Sequence, residues 1–306
     1  MMGLYNPEII RFPAVENAKD PWPDNQRPVF DPRGGRLVSA SEYSRYIHVF
    51  SENGQHISDV ACVACHVVYS PSGSRLLASA GASVMVFDTE DFTVLHTLSG
   101  FPGPLCDEEV SPEMAVSPDE KLIVCGGCRG FTSVWDAAGG RLLYSLSLSD
   151  FEVTRIVFTG PGNRVVISTR DELLVLLDAG TGEILRKSDA GGTVLCASPD
   201  GKTLYLTPFG DFREVVVWDV ASWKRCGEFR LPNGRGCEGM RVSPDGSLMA
   251  AGGSDGVMLL SLPDRELLWE SPELSTVYYE DKSLAFSPDG KFLCAGKGAY
   301  LYRISL

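Results

Sequence analysis

The sequence predicts an all-β protein: a seven-bladed β-propeller of four-stranded antiparallel blades, its ring closed by an N-terminal strand. Three observations carry this expectation. A Ser-Pro-Asp-Gly-like phrase returns seven times at intervals of about 43 residues, the length of one blade. A second phrase, an apolar run closing on a large residue, keeps the same period. No stretch between them shows the helical pattern of ten or more residues that a parallel α/β sheet would require.

The turn phrase is Asp31-Pro32-Arg33-Gly34, Ser70-Pro71-Ser72-Gly73, Ser117-Pro118-Asp119-Glu120, Thr159-Gly160-Pro161-Gly162, Ser198-Pro199-Asp200-Gly201, Ser243-Pro244-Asp245-Gly246 and Ser287-Pro288-Asp289-Gly290. Serine can bond the backbone ahead of it, proline arrives with its φ already set, aspartate suits the next position, and glycine accepts the positive φ that ends the turn. Apolar runs flank each phrase, as in Leu284-Ala285-Phe286 and Phe292-Leu293-Cys294-Ala295, so each turn joins the first two strands of a blade.

The third strand of each unit closes on Phe50, Phe87, Trp135, Leu177, Trp218, Leu260 or Tyr302, and aspartate follows at Asp88, Asp136, Asp178 and Asp219. A turn such as Asp178-Ala179-Gly180-Thr181-Gly182 then leads to a fourth strand such as Glu183-Ile184-Leu185-Arg186-Lys187. Many strands are apolar at nearly every position, as in Val257-Met258-Leu259-Leu260, which suits sheets covered on both faces.

After Ser287 the chain has room for two further strands but not for a third. Glu8-Ile9-Ile10-Arg11-Phe12 reads as the missing outermost strand of blade 7. The expectation is one domain over 1–306, with 1–27 supplying the closing strand and 28–306 the seven repeats. An unclosed ring would expose a sheet edge and two apolar faces.

Composition narrows the function classes. The chain has 306 residues, 44% hydrophobic and 22% charged, with 32 glycines and 19 prolines, which describes an ordered chain rich in turns. A net charge of −13 repels phosphate backbones, so no nucleic-acid partner is expected. The longest apolar run, Leu173-Leu174-Val175-Leu176-Leu177, is far short of the roughly 20 residues of a spanning helix, so no membrane partner is expected. The start, Met1-Met2-Gly3-Leu4-Tyr5-Asn6-Pro7-Glu8, lacks a basic and apolar leader. Nine cysteines follow no disulfide spacing. Together these lead to the expectation of a cytoplasmic monomer with free thiols.

The Ser-Pro-Asp-Gly turns, with Trp135-Asp136 and Trp218-Asp219 closing their third strands, resemble the WD-repeat proteins of the seven-bladed type from about residue 28 to 306. No Gly-His dipeptide occurs, so the buried histidine-centred network of that family is expected to be absent.

Cys62-Val63-Ala64-Cys65-His66 matches the haem-attachment pattern, but it leads into the first strand of blade 2. Cys125-Gly126-Gly127-Cys128 could join Cys62 and Cys65 as four zinc thiolates, although the pairs fall in neighbouring blades. Small buried hydrophobes are the plainer role for these cysteines. The sequence has no Gly-x-Ser-x-Gly elbow, His-Glu-x-x-His or phosphate loop, and most of the repeated aspartates belong to turns. No catalytic residue, metal ligand or cofactor is assigned.

What remains is the rim where loops enter first strands and join second to third. It carries Trp22, Tyr43, Arg45, Tyr46, Arg129, Phe131, Phe209, Phe212, Arg213, Arg235, Tyr278 and Tyr279. Aromatic and guanidinium groups are the side chains protein interfaces favour. Tyr43, Tyr46, Arg129, Phe131, Phe212, Arg213 and Tyr278 are therefore assigned to partner binding. The expected function is a non-catalytic scaffold that docks other proteins. The Asp107-Glu108-Glu109 run in the long loop Phe101 to Glu113 reads either as a solvated acidic surface or as a feature that draws a basic partner segment. The alternative is an enzyme or small-ligand binder at the mouth of the central channel.

Overall fold

A computed structural model describes residues 7–12, 27–41, 44–101, 112–160, 162–192, 194–275, 283–298 and 300–306. These form seven four-stranded antiparallel sheets. Blade 1 holds β2 (Arg27–Phe30), β3 (Arg36–Ala40), β4 (Tyr46–Ser51) and β5 (His56–Ala61); blade 2 holds β6 (Val67–Tyr69), β7 (Arg75–Ala80), β8 (Ser83–Asp88) and β9 (Val94–Leu98). Blade 3 follows as β10 (Glu113–Val116), β11 (Leu122–Gly126), β12 (Phe131–Asp136) and β13 (Arg141–Ser147). Blade 4 is β14 (Val153–Phe158), β15 (Arg164–Thr169), β16 (Leu174–Asp178) and β17 (Glu183–Ser188). Blade 5 is β18 (Val194–Ala197), β19 (Thr203–Thr207), β20 (Glu214–Asp219) and β21 (Lys224–Arg230). Blade 6 is β22 (Gly239–Val242), β23 (Leu248–Gly253), β24 (Gly256–Ser261) and β25 (Leu267–Ser271).

Blade 7 takes β26 (Leu284–Phe286), β27 (Phe292–Lys297) and β28 (Tyr300–Ser305) from the chain's end and β1 (Ile9–Arg11) from its beginning. β1 runs antiparallel to β28, with Ile9 opposite Ile304 and Arg11 opposite Tyr302. The predicted closing strand is therefore present. First strands of successive blades pack side by side around the ring, and β26 returns to β2.

The large residues expected to close third strands all lie on third strands, and each blade interface is a buried apolar seam. Val38, Ile47 and Val49 of blade 1 pack with Val67, Leu76 and Phe87 of blade 2. Phe30, Leu37 and Phe50 pack on the other face with Phe12 and with Cys294 and Leu301 of blade 7. This two-sided burial is why strand after strand reads as continuously apolar.

The turn phrase folds as its chemistry requires. In blade 5, Gly201 N–H donates to Ser198 O (2.9 Å), Ser198 Oγ donates to Asp200 Oδ1 (2.6 Å), and Thr203 N–H donates back to Ser198 Oγ (3.0 Å). Gly201 has φ +66°, and a Cβ there would meet Gly160 N at 2.3 Å, so the position needs glycine for both reasons. Blade 3 has Glu120 at the equivalent place with φ +57°, and its carboxylate accepts from Ser72 N–H in the neighbouring turn.

Candidate functional site

Because consecutive strands of each blade run antiparallel, the turns joining first to second and third to fourth strands lie at one face of the ring, and the remaining connections lie at the other. The Ser-Pro-Asp-Gly turns occupy one. The loops entering first strands and joining second to third strands occupy the other, called the loop face below.

The sequence-assigned residues are spread around this face. Tyr43 and Tyr278 lie outside the described residues. Tyr46 opens β4 in blade 1 and is half-buried. Arg129 is exposed in the blade 3 loop, with φ +56°, and Phe131 behind it is half-buried on β12. Phe212 is half-buried in blade 5, and its carbonyl accepts Cys237 N–H (2.8 Å) from the loop entering blade 6. Arg213 beside it is exposed. Blades 1, 3 and 5 are not neighbours, so these side chains form no single cluster.

Exposure singles out other residues. The exposed large hydrophobics among the described residues are Ile9, Ile57, Val94, Leu95, Leu142, Leu143 and Ile184 on outermost strands, and Val63 (57%), Phe151 (51%) and Phe209 (54%) in loops. All three loop residues are on the loop face. Phe209 was in the sequence-level inventory; Phe151 and Val63 were missed.

Phe151 and Phe209 flank the blade 4 loop 170–173, and hydrogen bonds tie the three segments together. Phe151 N–H donates to Ser149 Oγ (3.0 Å), which donates to Asp171 Oδ2 (2.9 Å). Phe209 N–H donates to Glu172 Oε1 (2.7 Å). Arg170 pairs with Glu152 (2.7 Å). Asp150, Glu152, Asp171, Glu172, Asp189 and Asp211 outnumber Arg170 and Arg213 here, so the two exposed phenyl rings sit in an acidic setting.

The thiol motifs resolve into separate contacts. Cys62 Sγ lies 3.8 Å from Met85 Sδ, Cys65 Sγ 3.4 Å from Ser79 Oγ, and His66 Nδ1 donates to Pro112 O (2.9 Å). Burial pushes the Cys62 thiol up to about 11 and the Cys125 thiol higher still, which disfavours the thiolate that metal or haem chemistry needs. Cys62, Cys65, Cys125, Cys128, Cys196, Cys226, Cys237 and Cys294 form no disulfide. Among the described residues, one group brings three or more metal-capable side chains together: His48, His56 and Asp59 in blade 1. The sequence-level expectation of no family-type histidine network did not anticipate it. Its signal was a pair of histidines and an aspartate on facing strands of one hairpin.

The channel side carries its own charges. Arg155 on β14 and Glu113 on β10 form an enclosed ion pair (2.6 Å). Burial lowers the Arg241 guanidinium on β22 to about 10, and Arg155 adds to this. Arg155 and Arg241 belong to the first strands of blades 4 and 6.

Fold and loop face together define a class: a closed seven-bladed β-propeller that presents preorganised loops at one end. No protein-family model matches the chain. It is similar to Centriole proteome protein 16 of Chlamydomonas reinhardtii (27% identical, over 74% of this chain and 11% of that protein). It is also similar to Autophagy-related protein 16 of Arabidopsis thaliana (24%, over 67% and 39%) and to Eukaryotic translation initiation factor 3 subunit I of Lodderomyces elongisporus (27%, over 65% and 66%). The chain thus spans about a tenth to two thirds of these relatives' lengths. With its repeat phrases and its closed ring, the chain is a seven-bladed β-propeller whose repeats resemble those of the WD-repeat type. Among the described residues no helix is long and apolar enough to cross a membrane.

Proposed function

We propose that this protein is a non-catalytic docking scaffold that takes a partner segment with apolar and basic side chains on the loop face over blades 3 to 5. The observation that carries this reading is the placement of Phe151 and Phe209. Each is more than half exposed, Phe209 N–H donates to Glu172 in the blade 4 loop, Phe151 N–H donates to Ser149 Oγ, which donates to Asp171 in that same loop, and acidic side chains surround both. Exposed aromatics on fixed loops supply interface area at little ordering cost. The carboxylates around them favour a basic partner and repel an acidic one. Arg213 and Arg129 extend the same face, and Tyr43, Tyr46, Phe131, Phe212 and Tyr278 remain candidate contacts around it.

The test is capture of partners by the wild-type protein and by a Phe151→Ala/Phe209→Ala variant. Loss of one hot-spot residue costs about 2 kcal/mol, roughly thirtyfold in affinity. Both rings are exposed, so the unfolding midpoint should not move. Undiminished binding by the double variant would overturn the assignment.

A second reading, a small anionic ligand in the channel, is favoured by Arg155 and Arg241 both lying on first strands, with Glu113 paired to Arg155. Thermal stabilisation by small phosphorylated or carboxylated compounds, lost in Arg241→Met, would support it over the first.

A further inference from the structure

The outer hairpin of blade 1 holds a cluster that docking does not use. His48 on β4 stands directly opposite Asp59 on β5. The register shift between Val49 and Phe50 turns His56 toward the same carboxylate. His48 Nδ1 lies 2.8 Å from Asp59 Oδ1, and His56 Nε2 lies 2.7 Å from that same oxygen. The three ligand atoms are all within 4.8 Å of one another. Bonds of about 2.0–2.2 Å to a tetrahedral ion set ligand atoms roughly 3.4 Å apart, so side-chain adjustments on the order of half an ångström or more would admit one.

Ser44 stands behind His48: its Oγ accepts from Tyr46 N–H (3.0 Å), lies 2.9 Å from Tyr46 O and lies 3.2 Å from His48 Nε2. With an ion on Nδ1, Ser44 would be the outer partner that orients the imidazole.

We propose that His48, His56 and Asp59 bind one divalent transition ion of the zinc type, with water completing the coordination. The His48 and Asp59 side chains are 1% and 8% exposed, while His56 at 26% leaves an entry path. Two imidazoles and one carboxylate suit zinc and its first-row neighbours rather than magnesium or calcium, which take oxygen ligands. The site adjoins the ring closure: the Phe50 ring meets His56 edge-on at 5.7 Å and Phe12 at 5.9 Å. An ion there would pin the hairpin on which the closing seam rests.

The test uses the full chain, freed of metal with a chelator and titrated with zinc against a chromophoric competitor. One ion per chain is expected, with a rise in the thermal midpoint. His56→Gln should weaken binding at least tenfold and abolish the rise, while its metal-free midpoint stays at the wild-type value because this ring is the most open of the three. The nine cysteines could also take zinc, so the zinc-loaded protein is read by X-ray absorption. A nitrogen and oxygen shell at about 2.0–2.1 Å is expected, without sulfur near 2.3 Å. Absence of binding, equal binding by His56→Gln, or a sulfur shell would each overturn the proposal.

Discussion

The ring of Phe12 lies 5.9 Å from that of Phe50, tilted by 50°, and through this contact the segment after β1 is fastened to blade 1 while β1 itself completes blade 7. Phe12 N–H also donates to Leu301 O (2.9 Å). The seam thus joins the two ends of the chain through one buried aromatic pair and one strand ladder.

Phe12→Ala should therefore cost about 3–5 kcal/mol, the range for deleting a fully buried phenyl ring. Removing residues through Phe12 should abolish cooperative unfolding altogether. Urea denaturation followed by tryptophan fluorescence measures both; an unchanged midpoint in the truncated chain would show that the ring closes without β1.

The enclosed Glu113–Arg155 pair gives a second prediction. Both side chains are about equally hidden, and removing one partner strands the other's charge. Glu113→Ala should destabilise by about 3–5 kcal/mol in the same urea assay. A loss well under 1 kcal/mol would mean that water reaches Arg155 freely from the channel.

The turn aspartates set an acid limit. Asp200 and Asp245 are held down to about 2 chiefly by the Ser198 and Ser243 hydroxyls, and Asp289 to about 2 by Lys291 and then Ser287. An unfolded aspartate titrates near 3.9, so on acidification the unfolded chain takes up protons first. The stabilisation is complete above about pH 4 and is lost as the pH falls toward 2. Thermal melts between pH 5 and 2 should show a steep fall that is shallower in an Asp200→Asn/Asp245→Asn/Asp289→Asn variant; identical profiles would contradict these turns as the source.

Much of this architecture was legible because turn chemistry is local. Ser-Pro-Asp-Gly specifies its own hydrogen bonds, and seven copies specify a ring. Glu8 to Phe12 was legible because an incomplete last blade demands a strand. The loop face was less so. Phe212 and Phe209 are the same residue type in one loop, yet the first is packed under the loop entering blade 6 and the second is exposed, a difference made by a neighbouring blade. Phe151, in Ser149-Asp150-Phe151-Glu152, sits just before β14, and nothing in that local sequence marks its ring as exposed. His48, His56 and Asp59 meet only because the β4–β5 register shifts by one residue, which periodicity cannot reveal.

The central claim is that partners dock on the loop face at Phe151 and Phe209. Site-specific photo-crosslinking tests it most directly, with a photoreactive phenylalanine placed at 151, at 209 and, on the turn face, at Lys202 and Lys291. The account predicts covalent partner adducts from positions 151 and 209 and none from 202 or 291. Adducts from the turn face, with none from 151 or 209, would contradict it.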